Sequence, residues 1–206
     1  DFVFPIPDAI PSEYAAPLMC AGITVYAPLK HYGAGPGRRV GIVGVGGLGH
    51  LALQFANKLG ATVTAFSTSD SKREECMRLG AHHFVNTRDA AQFTAAQRSL
   101  DILLVTANAS NMPWDGYIAT LDVHGKVVTV GLPEEKLPAN LLAMTFSDIS
   151  LNTSLIGGRP IHREMLEFAA QHGIRPMIEL LPMSQVNEAH ARLHANKVRY
   201  RFVLCN

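Results

Sequence analysis

A β-prone segment, Val40-Gly41-Ile42-Val43, runs directly into Gly44, Gly46 and Gly49, and few architectures accommodate that order of residues. The glycines stand at the G-x-G-x-x-G spacing of a strand, a turn and a helix start. Gly44 permits the tight turn, Gly46 lets the backbone approach a pyrophosphate, and Gly49 lets the following helix pack closely on the strand. The first N–H groups of that helix, with the positive end of its dipole, would face the phosphates. Glycine-rich turns also occur wherever a backbone needs room, so the context decides. Here a helix follows with Leu48, Leu51, Ala52, Phe55, Ala56 and Leu59 on one face, Gly60 stops it, and a second strand runs over 61–66. A βαβ unit of this length is a dinucleotide-binding fingerprint.

The alternation continues downstream. A short helix over 71–79 closes at Gly80, a third strand covers 83–85 and a weak helix 90–97. The unbroken apolar run 100–105 predicts a strand buried on both faces. A helix over 114–121 ends near Gly125, and a fifth strand follows over 126–130. This rhythm predicts an α/β fold, a Rossmann doubly wound parallel sheet covered on both sides. Upstream, Pro5, Pro7 and Pro11 suit an extended connector over 1–13, and 15–31 reads as helix in two pieces. From Asn140 the pattern changes. A strand-like run over 149–155 ends at Gly157 and Gly158, an amphipathic helix spans 161–172 and a strand 177–181. Ser184 caps a helix to His194, and a last strand covers 199–205. This tail repeats neither the glycine fingerprint nor the βα rhythm and reads as part of a second structural unit. The expected units are a connector over 1–24, a dinucleotide-binding domain over 25–158 and a C-terminal piece over 159–206.

The two nicotinamide dinucleotides are told apart at the end of the second strand, where an NAD site places Asp or Glu on the ribose 2′-hydroxyl. This chain has Ser67, Thr68 and Ser69, then Asp70, Ser71, Lys72 and Arg73. Three hydroxyls can donate to a 2′-phosphate and Lys72 or Arg73 can neutralise it, which predicts NADP(H). Ser69 or Asp70 also suits a helix N-cap, a compatible role. Asp70 keeps the NAD alternative open, because it would reach a ribose hydroxyl if the turn were displaced by a few residues.

Other chemistries find less support. The 18 basic and 17 acidic residues are interspersed, so no basic face points to nucleic acid. Cys20, Cys76 and Cys205 are widely spaced, which favours a reducing compartment, and the uncharged stretch 14–29 is broken by Pro17 and Pro28, so it is neither a signal peptide nor a membrane span. A soluble, cytoplasmic protein with a small-molecule partner is expected. The chain opens on Asp1 rather than Met, a hint that an upstream part has been removed. His190 and His194 stand four residues apart, but without the Glu of a metalloprotease helix they read as a solvated face. His50 reads as a packing or capping residue, and no G-x-S-x-G elbow is present.

The run Pro17-Leu18-Met19-Cys20-Ala21-Gly22-Ile23-Thr24-Val25-Tyr26, followed by Gly44-Val45-Gly46-Gly47-Leu48-Gly49-His50, resembles the medium-chain, zinc-dependent alcohol dehydrogenases. Within them the chain is most similar to the cinnamyl-alcohol-dehydrogenase-like, NADPH-dependent aldehyde reductases, and Ser154-Leu155-Ile156-Gly157-Gly158 and Val198-Arg199-Tyr200-Arg201-Phe202-Val203 agree. The resemblance implies hydride transfer between NADPH and an aldehyde or primary alcohol. It implies that Gly46, Gly47 and Leu48 meet the pyrophosphate with Arg199 as a cationic contact, that Thr24 lies beside the nicotinamide and that Thr106 follows the fourth strand. It further implies that Val130, Gly131, Leu132, Ser154 and Ile156 line the nicotinamide pocket, and that Ser67, Thr68, Ser69 and Lys72 form an NADP-type cleft. Cys20 falls where the family supplies one thiolate to its catalytic zinc. The family's N-terminal catalytic barrel, with the other zinc ligands, is missing, so residues 1–24 and 159–206 read as flanking fragments of the catalytic domain. Cys20 is therefore expected to be a free, partly buried thiol, with no zinc bound and no catalytic residue in this chain, which alone binds cofactor without turning over aldehydes. The resemblance also implies a homodimer joined along the edge formed by 149–155. The alternative function is a non-catalytic NADP-binding sensor or interaction module.

Overall fold

The computed structural model describes residues 3–109, 111–131, 137 and 140–206. Pro11, held in an extended conformation, leads into helix α1 (Ser12–Pro17), which begins inside the stretch expected to be connector. A π-helical turn (Leu18–Gly22) carries the chain without a break into α2 (Ile23–His31). Strand β1 (Arg39–Val43) then delivers the glycine turn, and α3 (Gly49–Lys58) buries Leu51, Ala52, Phe55 and Ala56 on the face that its three-four spacing aligns.

The next units are β2 (Thr62–Ser67), a 3-10 turn (Asp70–Lys72) running into α4 (Arg73–Arg78), and β3 (His83–Asn86). Then come α5 (Ala90–Ala95), β4 (Leu100–Val105), α6 (Trp114–Ala119) and β5 (Leu121–Thr129). After α7 (Leu141–Phe146), β6 (Ser150–Thr153) completes a six-stranded sheet in the order β3-β2-β1-β4-β5-β6 with every pair parallel. This is the Rossmann order, and its reversal between β1 and β4 opens a crevice at the carboxyl ends of those strands. On one face Val40, Ile42, Val63, Ala65, Ile102, Leu104 and Val128 meet the buried sides of α2, α3 and α8 (Arg159–His172). On the other, Val43, Phe66, Leu103, Val105 and Val127 meet Tyr117 and Ile118 of α6.

Further differences from the sequence expectation lie in β5 and in the tail, where the last strand also starts at Arg201 and not at Arg199. α6 ends at Ala119 and β5 starts at Leu121, five residues early, because the strand contains a bulge: Leu100 pairs with Leu121, but Ile102 pairs with Lys126. His124 (φ 62°) absorbs the irregularity next to Gly125, and Arg39 ties it down by reaching both Asp101 and Asp122. In the tail, a 3-10 turn (Met183–Gln185) follows β7 (Ile178–Pro182), and Ser184 lies inside that turn instead of capping α9 (Val186–His194).

The tail also keeps more of the βα rhythm than its sequence suggests. β7 and β8 (Arg201–Cys205) pair in parallel across α9, forming a second, two-stranded sheet. Parallel neighbours need a crossover of a dozen residues or more, and the segment through α9 supplies it.

Candidate dinucleotide site

The three fingerprint glycines serve three different purposes. Gly44 lies at φ +86°, where a side chain is strained, and a Cβ there would stand 2.8 Å from that of Ala107. A Cβ on Gly49 would fall 1.8 Å from the Gly44 carbonyl oxygen, so only glycine lets α3 start this close to β1. Around Gly46 nothing lies within 4 Å of such a Cβ, so the turn is open where a ligand would approach. Thr106, past β4, donates its hydroxyl toward the Val43 and Gly44 carbonyls (2.9 and 2.8 Å) and fixes the turn across the crevice.

A cavity of about 510 Å³ opens over Gly46, Gly47 and Leu48, walled by Lys72, Thr106, Tyr200 and Arg201. Two cations enter it. The Lys72 ammonium donates to the Val45 carbonyl at 2.6 Å and lies 5.3 Å from the centre of the Tyr200 ring. The Arg201 guanidinium donates to the Gly47 carbonyl at 3.0 Å. Burial lowers the pKa of both below the ordinary range. Among the described residues neither forms an ion pair with a carboxylate. Two partly buried cations facing a cavity over open backbone suit an anion of several oxygens.

Arg199, expected at this position, is turned elsewhere. Its guanidinium binds the buried Glu75 carboxylate (3.0 Å from Nε, 2.9 Å from Nη2), which also accepts from the Tyr200 hydroxyl. Burial would raise the Glu75 pKa, but these two partners outweigh it and hold the carboxyl below its usual range. Arg201, two residues on, is the arginine at the glycine turn. The period-two pattern of the Arg199-Tyr200-Arg201 run hints at two equivalent arginines, and only the path of the tail separates them.

His50 is the other residue whose role the sequence understated. Fully buried, it places Nδ1 2.8 Å from the Gly46 carbonyl and Nε2 3.0 Å from the Met177 N–H, while stacking on Tyr200. The Met177 N–H can only donate, so Nε2 accepts and Nδ1 carries the proton of a neutral ring. Burial pushes its pKa down to about 4. The histidine thus pins the glycine turn to the segment that enters β7.

The remaining expected residues fall in two groups. Ser67 ends β2, Thr68 and Ser69 are exposed beyond it, and the Ser69 oxygen accepts from the Ser71 N–H as the cap of the 3-10 turn. Val130 and Gly131 extend β5, while Ser154 and Ile156 follow β6 and line a second cavity of about 430 Å³ with Lys30, Tyr32 and Ile161. Thr24 is buried on α2, a helical turn ahead of that cavity's Pro28. Leu132 lies outside the described residues.

Cys20 is exposed in the π-helical turn, not partly buried as expected. Catalytic tetrahedral zinc takes three protein ligands and an open position. Among the described residues no three His, Cys, Asp or Glu side chains gather to hold a metal, so these residues alone do not form that donor set.

Residues 47–171 match the family model of the zinc-binding dehydrogenases. A probable formaldehyde dehydrogenase of Bacillus subtilis is 47% identical over 98% of this chain and 58% of its own length. An NADP-dependent alcohol dehydrogenase of Mycolicibacterium smegmatis is 43% identical over 99% of this chain and 58% of its length. A cinnamyl alcohol dehydrogenase of Sorghum bicolor superposes with a TM-score of 0.94 at 41% identity, covering 99% of this chain and 58% of that one. The chain therefore spans a little over half the length of the relatives it matches. With its Rossmann sheet, its glycine turn and these relatives, it belongs to the zinc-binding dehydrogenase family, the alcohol dehydrogenases that its sequence resembles.

Proposed function

We propose that this chain is the cofactor-binding part of an NADP(H)-dependent alcohol dehydrogenase or aldehyde reductase, acting on a small-molecule aldehyde or primary alcohol. The observation that carries the reading is the open Gly46 turn facing Lys72 and Arg201 across one cavity. When bound, the nicotinamide supplies or accepts the hydride. The chain's own residues do the positioning. Gly46, Gly47 and Leu48 take the pyrophosphate together with Arg201, and Ser67, Thr68, Ser69 and Lys72 take a 2′-phosphate. The second cavity, lined by Ser154 and Ile156, together with Thr24, Val130 and Gly131, forms the nicotinamide end, and Leu132, outside the described residues, is assigned there from the family resemblance alone. Residues 25–158 act as the cofactor domain, with 1–24 and 159–206 belonging to the catalytic part. Family membership favours this reading over a stand-alone sensing module. Cys20 offers one thiolate for zinc, to be completed by ligands other than the described residues.

The accompanying reading is a homodimer in a reducing compartment, the cytoplasm, contacting neither nucleic acid nor membrane. It is supported by three free cysteines, by the place of β6 at the end of the large sheet and by the exposure of Leu151 on that strand. Among the described residues no helix is long and apolar enough to cross a membrane.

Fluorescence titration of the chain with NADPH and NADH tests the cofactor assignment. NADPH is expected to bind more tightly. Gly46→Ala is expected to weaken it about tenfold or more by intruding on the phosphates while leaving the melting temperature in place, because nothing else occupies that space. Equal affinities, or a Gly46→Ala variant that binds normally, refute the assignment. Sedimentation showing only monomer at micromolar concentration refutes the dimer.

A further inference from the structure

The 3-10 turn after β2 sorts its charges to opposite sides. Lys72 points inward and donates to Val45 in the turn that follows β1. Asp70, two residues earlier, is bound on the outward side, at β3, the strand beyond β2. One carboxylate oxygen accepts from the Asn86 amide at 2.6 Å, and the other from the Arg73 guanidinium at 2.8 Å. Both partners make further contacts, although the pair itself is exposed. Arg73 lies 4.5 Å from the centre of the Phe84 ring, the Asn86 backbone N–H donates to Gln92 at 3.1 Å, and Gln92 is in turn held by Asp89 at 2.7 Å.

An acid beyond the second strand of a dinucleotide fold normally selects NAD, by accepting from the ribose 2′-hydroxyl and repelling a 2′-phosphate. Here the acid is present but engaged on the far side. We infer that Asn86 and Arg73 are specificity-positioning residues, which hold the Asp70 carboxylate against β3 and so keep the β2 cleft open to a 2′-phosphate. The inference rests on the NADP(H) reading above. It makes discrimination depend on where an acid is held as well as on which residues line the cleft, and it assigns a role to two side chains that need not touch the cofactor.

The test is the ratio of NADPH to NADH affinity, titrated on this chain with Asn86→Ala and with Arg73→Met, each alone and combined with Asp70→Ala. Asn86→Ala also removes the acceptor for the Arg88 N–H (3.1 Å), so Arg73→Met gives an independent release of the same carboxylate. Each single variant is expected to lower the preference for NADPH about five- to tenfold, as a freed like charge swings toward the phosphate. Adding Asp70→Ala is expected to restore it, which loosened packing or a lost direct phosphate contact would not do. A preference unchanged in both single variants, or a drop that persists without Asp70, overturns the inference while leaving the cofactor reading intact. A parent chain without any NADPH preference overturns both.

Discussion

β1 and β4 lie inside the large sheet, and every residue from Val40 to Val43 and from Ile102 to Val105 is buried. β7 and β8 pair with the same parallel geometry, yet Val203 is their only buried residue. Backbone pairing is common to both, so pairing cannot be what distinguishes them. The large sheet draws its stability from helices on both faces. The small sheet contributes little core, and it places Tyr200 and Arg201 over the glycine turn.

The sharpest test of that contrast is truncation on each side of it. Phe66→Ala, at a fully buried site among Phe93, Tyr117 and the sheet, should cost about 3–5 kcal/mol in urea unfolding. Leu180→Ala, at a β7 residue that is 54% exposed, should stay within about 0.5 kcal/mol. Comparable losses would mean that both sheets belong to one uniformly packed core.

Next in size is the join between the two sheets. Because His50 must be neutral in the fold, its folded pKa of about 4 lies below that of the unfolded chain, near 6.5, so the unfolded state binds the extra proton. Stability should therefore be complete above pH 6.5 and fall as the pH approaches 4. The loss attributable to His50 between pH 7.5 and 4.5 should be about 2–3 kcal/mol. A His50→Gln variant, with no titrating group, should show a correspondingly shallower pH profile. Parallel profiles would place the proton sensitivity elsewhere.

The smallest expected effects separate the two tail arginines. Arg199→Gln deprives the buried Glu75 of its cation and should cost about 1–2 kcal/mol of stability, with little direct effect on cofactor. Arg201→Gln should leave stability within about 0.5 kcal/mol, yet weaken NADPH binding about tenfold. Exchange of those two phenotypes would return Arg199 to the phosphate site.

The legible part of the sequence was the part governed by local rules. The glycine spacing, the three-four pattern from Leu48 to Leu59 and the apolar run 100–105 each specify an element without reference to distant residues, and all three lie in the large sheet's core unit. The missed features depend on partners far away in the chain. The early start of β5 requires a bulge held by Arg39, 83 residues upstream of Asp122. The pairing of β7 with β8 and the identity of the arginine above Gly47 both follow from how the tail returns across the turn. The helical pattern over 15–31 includes Cys20, but the π-helical turn that leaves Cys20 exposed while burying Leu18, Ala21 and Gly22 has no sequence signature.

β6 forms one end of the large sheet, and its geometry bears on how far apart two sites would lie in the proposed dimer. A two-fold axis perpendicular to the sheet at that edge reverses strand direction, so β6 would meet its own copy antiparallel. Two six-stranded parallel halves would become one twelve-stranded sheet with an antiparallel seam at its centre. The carboxyl ends of β1 in the two halves would then point in opposite directions. Each dinucleotide crevice would open on its own side of the assembly, beyond the reach of any ligand bound in the other, and influence between them would have to pass through the strands on either side of the seam.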